Sequence, residues 1–152
     1  MEDVTYTPIG VIRTPFPGSK GMPKGPDARD IAGTAEVFPR FAEGLADLEG
    51  LSHVVLIFHM HLSEGPLMKV VPWNEKSQRG VFSTRSPRRP NPIGITVVRL
   101  ERIEGGRLHF TGADMADGTP LLDIKPCLPE DGPSRNLRTG THAPAGMSKR
   151  RP

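Results

Sequence analysis

Apolar residues in this chain fall in short runs broken by glycine, proline and aspartate, the pattern of brief strands joined by tight turns. Val4 to Thr14 alternates imperfectly and predicts a strand, with Pro8 suited to an edge because proline donates no ladder hydrogen bond. Residues 17–29 (PGSKGMPKGPDAR) read as a loop, and Gly33 to Phe38 as a short strand. Phe41, Leu45 and Leu48 recur at helical spacing before Gly50, which predicts a short helix over Arg40 to Glu49 with a glycine stop. His53 to His61 (HVVLIFHMH) is short and β-branched, and reads as a buried strand. Leu62 to Gln78 is an irregular connection. Strands follow at Gly80 to Thr84 and at Ile93 to Ile103. Gly105-Gly106 joins the latter to Arg107 to Thr111, a two-residue hairpin signal. Leu121 to Lys125 is the last strand. Beyond Pro126 the chain turns polar and rich in breakers, as a mobile tail does.

These elements predict a mainly β fold: a small antiparallel barrel or curled sheet of about six or seven strands with one short helix. Parallel architecture needs a helix between strands, and only one helix is legible. No G-x-G-x-x-G turn and no Walker loop occurs, which excludes a Rossmann-type nucleotide site. The expected organisation is one barrel domain over residues 1–130 and a basic, flexible tail over 131–152.

Composition narrows the function. With 152 residues the chain suits one domain. Its one Trp, one Tyr and six Phe argue against a large base-stacking platform. The net charge is +3, but its distribution matters more. Arg79, Arg85, Arg88 and Arg89 fall close together with no acid between them. The tail carries Arg135, Arg138, Lys149, Arg150 and Arg151, and no acid follows Asp131. Such clusters suit phosphates. Cys127 is the single cysteine, so neither an intrachain disulfide nor a cysteine-based zinc site forms. The five histidines lack a ligand spacing, and no metal is expected. The acidic start Met1-Glu2-Asp3 has no apolar run, and Val54 to Phe58 is too short to span a bilayer. A cytoplasmic protein with no membrane partner is expected.

Two segments carry candidate chemistry. In RGVFSTRSPRRPNPIG (79–94), Pro87, Pro90 and Pro92 stiffen the loop and so preorganise Arg85, Arg88 and Arg89, whose planar forks suit carboxylate or phosphate. In DMADGTPLLDIKP (114–126), the turn Asp117-Gly118-Thr119-Pro120 leads into a strand with Asp123 and Lys125. Turn amides, a hydroxyl and carboxylates can hold a ligand's hydroxyls and amines.

Together, these segments resemble the paired motifs of the tRNA N6-threonylcarbamoyladenosine methyltransferase family (TrmO, YaeB or TsaA-like). YTPIGVIRTPF near the start and LEGLSHVVLIF in the middle are also similar to segments of that family, so the resemblance runs from about Tyr6 to Pro126. It departs at Cys127, where the family motif usually ends in Tyr. The resemblance implies a dimeric β-barrel that binds S-adenosylmethionine near the subunit interface and methylates threonylcarbamoyladenosine beside the tRNA anticodon.

Carried onto this sequence, the resemblance implies that Thr14, Pro15 and Phe16 line the cofactor. His61, with Leu62 beside it, matches a contacting histidine. Arg85 would meet the methionine carboxylate or an RNA phosphate, Ile95 would wall the adenine, and Asp117, Gly118, Thr119 and Pro120 would close on the ligand. Arg88, Arg89, Asn91 and Lys125 would shape the loop or reach the substrate. Methyl transfer by direct displacement relies mainly on positioning, and a base can take the acceptor's proton. Asp114, Asp117 and Asp123 are candidates for that base, and the sequence does not choose among them. Two alternatives stay open: a methyltransferase of a small molecule, and a non-catalytic RNA-binding barrel.

Overall fold

The structure is a computed structural model and describes residues 1–23 and 25–131. The basic tail expected over 131–152 lies outside the described residues from 132 onward.

Eight strands are present among them: β1 (Gly10–Arg13), β2 (Ala32–Val37), β3 (His53–His59), β4 (Lys69–Val70), β5 (Arg79–Gly80), β6 (Ile93–Glu104), β7 (Arg107–Thr111) and β8 (Thr119–Pro126). Six of them close a barrel in the order β1-β2-β7-β6-β3-β8, and every neighbouring pair is antiparallel. Closure leaves the barrel without an unpaired edge. The mainly β, non-Rossmann architecture is the expected one. The remaining strands, β4 and β5, pair only with each other and form an arm between β3 and β6.

Period-2 alternation turns one face of each strand inward. Val54, Leu56 and Phe58 of β3 meet Val98 and Leu100 of β6, Leu108 and Phe110 of β7, and Ile12, Ala35 and Leu121 in one buried cluster. Two aromatic rings fill the barrel only because glycines face them. A Cβ at Gly94 would overlap the Phe58 ring, and one at Gly33 would overlap the Phe110 ring. The β6–β7 hairpin turns on Gly105 and Gly106, at φ 52° and 82°. Positive φ at both central residues is what a two-residue hairpin turn requires.

Several details differ from the sequence expectation. β4 lies inside the connection read as irregular, and a 3-10 turn (Gly25–Ala28) lies inside the loop over 17–29. Only Gly10–Arg13 of the segment from Val4 to Thr14 is strand. Val4 and Tyr6 are exposed and have no core face to bury. The helix is a 3-10 helix, Pro39–Leu45, that stops short of Gly50. The chain leaves it through Asp47, at φ 68°. Within Gly80 to Thr84, Val81–Ser83 is a 3-10 turn rather than strand. Its hydroxyls bond back to the chain, Ser83 Oγ to the Gly80 carbonyl at 2.7 Å and Thr84 Oγ1 to the Val81 carbonyl at 2.8 Å, and such local bonds compete with a strand ladder. The ordered chain also continues past Pro126, since Cys127 is buried and Pro129–Asp131 forms a 3-10 turn.

Antiparallel order decides where the loops go. The connections after β1, β3 and β7, and those before β2, β6 and β8, all emerge at one end of the barrel. Most of the residues singled out from the sequence lie in those connections; Ile95 is in β6, and Thr119, Pro120, Asp123 and Lys125 are in β8.

Candidate cofactor site

The end of β1 and the turn before β8 are knitted together. Thr14 donates its amide to Asp117 Oδ1 at 3.1 Å, and its hydroxyl to the Met115 carbonyl at 2.8 Å. Asp117 donates its amide to the Phe16 carbonyl at 2.6 Å, and Gly118 donates to the Ile12 carbonyl at 2.9 Å. Gly118 takes φ 77°, a conformation natural to glycine. The Asp117 carboxylate also lies 4.0 Å from the Arg13 guanidinium. It clamps the backbone of the first strand's exit. Thr119 is buried at 2% exposure and gives its hydroxyl to the Ala116 carbonyl at 2.6 Å. That hydroxyl is spent inside the turn.

On the neighbouring side an open cleft of about 1040 Å³ is lined by Arg85, Ile95, Thr96, Val97, Arg99 and Asp114, with Arg29 and Asp30 across from them. Asp114 is half-buried, and Thr96 Oγ1 donates to its Oδ1 at 2.8 Å. Burial raises its carboxyl above the ordinary 3.8, opposed by the Thr96 hydrogen bond, a backbone hydrogen bond and the charge of Arg85. Thr96 is a residue that motif reasoning missed. A signal was present: Thr96 is polar at an inward position of β6, between Gly94 and Val98, and such a position wants a partner.

A smaller depression of about 440 Å³ is lined by Arg13, Thr14, Pro15, Thr34, His109 and Thr111. The sequence-predicted cofactor residues are thus divided. Arg85, Ile95 and Asp114 share the large cleft, Thr14 and Pro15 border the small one, and Glu101 and Thr111 touch both. His61 and Leu62 are exposed just past β3. They belong to the same barrel end, where the Met60 amide bonds the Pro92 carbonyl at 2.7 Å, but they stand outside both clefts.

The other basic and acidic candidates already have partners. Arg89 donates to the carbonyls of Thr84 and Ser86 at 2.8 and 3.2 Å and so shapes its own loop. Arg88 donates to the Gly65 carbonyl at 3.1 Å and ties that loop to the segment after β3. Asn91 is exposed at the loop's end, where its carbonyl accepts from the Ile93 amide at 2.7 Å. Asp123 and Lys125 pair at 2.8 Å on the outside of β8, away from both clefts, and the bond holds the exposed lysine above its usual range.

These residues fit S-adenosylmethionine chemically. Arg85 offers a cation for a carboxylate, Ile95 and Val97 offer apolar surface for a purine, and Asp114 offers an acceptor for an amine or hydroxyl.

Comparison with known proteins agrees. Residues 11–131 match the family model for the tRNA-methyltransferase O N-terminal domain. A probable S-adenosyl-L-methionine-binding protein of Pyrococcus abyssi is 49% identical over 138 residues, covering 90% of this chain and 75% of that protein. The tRNA (adenine(37)-N6)-methyltransferase of Mus musculus is 40% identical over 139 residues, covering 86% of this chain but 32% of the mouse protein. The crystal structure of TrmO from Pseudomonas aeruginosa superimposes with a TM-score of 0.73 at 40% identity, covering 94% of this chain and 64% of that one. This chain therefore belongs to the family of the tRNA-methyltransferase O N-terminal domain.

Proposed function

We propose that this protein binds S-adenosylmethionine at the loop end of its barrel and transfers the methyl group to N6 of threonylcarbamoyladenosine in tRNA. The observation that carries the reading is the convergence of Arg85, Ile95 and Asp114 in one cleft beside the turn where Asp117 clamps Thr14. The names of the mouse and Pyrococcus relatives support it.

When bound, the cofactor supplies an electrophilic methyl group. Arg85 anchors the carboxylate end of the ligand, and Ile95 and Val97 shield the purine from water. Asp114 is the preferred base among the three aspartates. Its Oδ1 holds Thr96, which leaves Oδ2 to take the proton of the acceptor nitrogen. Its raised affinity for a proton suits that role. Asp117 acts as a backbone clamp, and Asp123 is paired away from the cleft.

The working unit of this proposal is a homodimer. Ile93, Ile95 and Val97 stand outward on β6 at 43–52% exposure, and the half-buried Ile57 of β3 lies opposite Ile95. This apolar stripe borders the large cleft. A second copy laid on it would enclose a cleft that one chain leaves open. The compartment would be the cytoplasm, where tRNA is available; among the described residues no helix is long and apolar enough to cross a membrane.

Isothermal titration with S-adenosylmethionine tests the cofactor. The protein should bind with one site per chain, and Arg85→Ala should lose on the order of 1.5–3 kcal/mol, as for a charged hydrogen bond. No heat at millimolar ligand, with no thermal stabilisation either, would reject the reading.

A further inference from the structure

The arm between β3 and β6 has no part in barrel closure. It is ordered nevertheless. Val70 and Val81 are buried, the Val81 amide bonds the Met68 carbonyl at 3.0 Å, and the Leu67 amide bonds the Arg88 carbonyl at 3.0 Å. Ser63 Oγ adds a bond to the Pro87 carbonyl at 2.7 Å. Packing within the arm thus rests on aliphatic anchors and backbone bonds. Its two aromatic rings are largely exposed, Trp73 at 77% and Phe82 at 73%. Met68 and Val71, each 53% exposed, extend the apolar surface.

The charge around these rings is one-sided. Residues 60–92 contain Lys69, Lys76, Arg79, Arg85, Arg88 and Arg89, and only two acids, Glu64 and Glu75. Both acids are engaged by arginines of the arm, Glu75 by Arg79 and Glu64 by Arg88. The Arg89 guanidinium lies 6.0 Å from the centre of the Phe82 ring, held there by its carbonyl bonds. Lys69 and Lys76 are exposed. The other 15 acids of the chain all lie outside the arm, so it is a basic projection on an otherwise acid-rich barrel.

Exposed rings on a basic segment match one kind of partner. Unpaired bases present π faces that stack on aromatic side chains, while their phosphates meet lysine and arginine. A folded protein partner would ask for apolar cover without that excess of positive charge. We propose that the arm is the surface that holds unpaired nucleotides of the RNA substrate, with Trp73 and Phe82 stacking on bases and Lys69 and Lys76 on the flanking phosphates. The inference rests on the tRNA reading above and adds the place of contact. The barrel's clefts then handle the reacting group, and the arm holds the strand leading to it.

Trp73 is the only tryptophan of the chain, so its fluorescence reports this contact directly. The full-length protein is titrated with tRNA at low salt, with and without S-adenosylmethionine, and methyl transfer is measured in parallel. Saturable quenching of the emission by tRNA, absent with the cofactor alone, is expected. Trp73→Ala should weaken tRNA binding about tenfold and Trp73→Phe much less, because a ring remains; Phe82→Leu should weaken it comparably to the alanine change. Cofactor affinity should be unchanged in all three. Normal methylation of tRNA with unaltered emission, and full tRNA affinity in Trp73→Ala and Phe82→Leu, would overturn the inference and leave the proposed function standing. Loss of the dimer by Trp73→Ala in light scattering would assign the arm to an interface between copies and also overturn it. Absence of any tRNA binding or methylation by the unaltered protein would remove both.

Discussion

At the scale of single residues the site turns on how Asp114 is housed. Burial raises its carboxyl above 3.8 while Thr96 and Arg85 pull the other way, so burial wins. The folded protein then holds this proton more tightly than the unfolded chain does. The stability tied to that proton is fully present below about pH 3.8 and is lost as pH rises through the folded value. Asp114→Asn removes the titration and keeps an acceptor for Thr96. The melting temperature of Asp114→Asn relative to the unaltered protein should therefore climb between acid and neutral pH, while methyl transfer falls. A difference that is flat with pH would show that the carboxylate pays no burial cost.

Which aspartate has the raised carboxyl was not legible from the sequence, because all three sit in similar polar surroundings within one motif. Burial in the fold decides it, and Thr96 marks the place by bonding Asp114 from a strand on the far side of the arginine loop. The Asp117 turn was legible as a turn, since Gly118 supplies its positive φ, and Arg85 lines the large cleft. Trp73 and Phe82 were not legible. Trp73 lay in a connection read as irregular and Phe82 in a segment read as strand, and the structure leaves both rings exposed.

At the scale of elements, strands that alternate strictly and end in turn residues were readable. Arg107–Thr111 and its glycine hairpin lie where the pattern puts them, because two consecutive glycines supply the positive φ the turn needs. Val4 to Pro8 misled because its mild alternation meets no partner strand, and a strand exists only as part of a ladder; Ile9, just before β1, already bonds Leu121 and Phe38. Gly80 to Thr84 misled because two hydroxyls satisfy carbonyls locally. Gly94 shows the packing side of the same point. Its place in β6 is needed by the Phe58 ring, so Gly94→Ala should cost about 1–3 kcal/mol as an overpacked core does. Chemical denaturation should show a lower midpoint at an unchanged slope. Adding Phe58→Leu should return part of the loss, since the two sites touch. An additive double variant would mean that the ring moves aside freely.

At the scale of the whole molecule, one closed barrel gathers its functional loops at one end and leaves an apolar stripe on one side. The stripe predicts association. Light scattering at micromolar concentration should give about twice 16.6 kDa. Ile93→Glu, which puts a charge on the stripe, should shift the protein toward monomer and weaken cofactor binding together. A monomeric variant with full cofactor affinity would separate the interface from the site.

The central claim is methyl transfer to a modified adenosine. Its most direct test uses tRNA from a strain lacking the enzyme, incubated with the purified protein and S-adenosylmethionine, then digested to nucleosides and examined by mass spectrometry. The account predicts that threonylcarbamoyladenosine is replaced by a species heavier by one methylene, only when protein and cofactor are both present, and with much lower yield for Arg85→Ala. Threonylcarbamoyladenosine left unchanged by a protein that demonstrably binds the cofactor would contradict it.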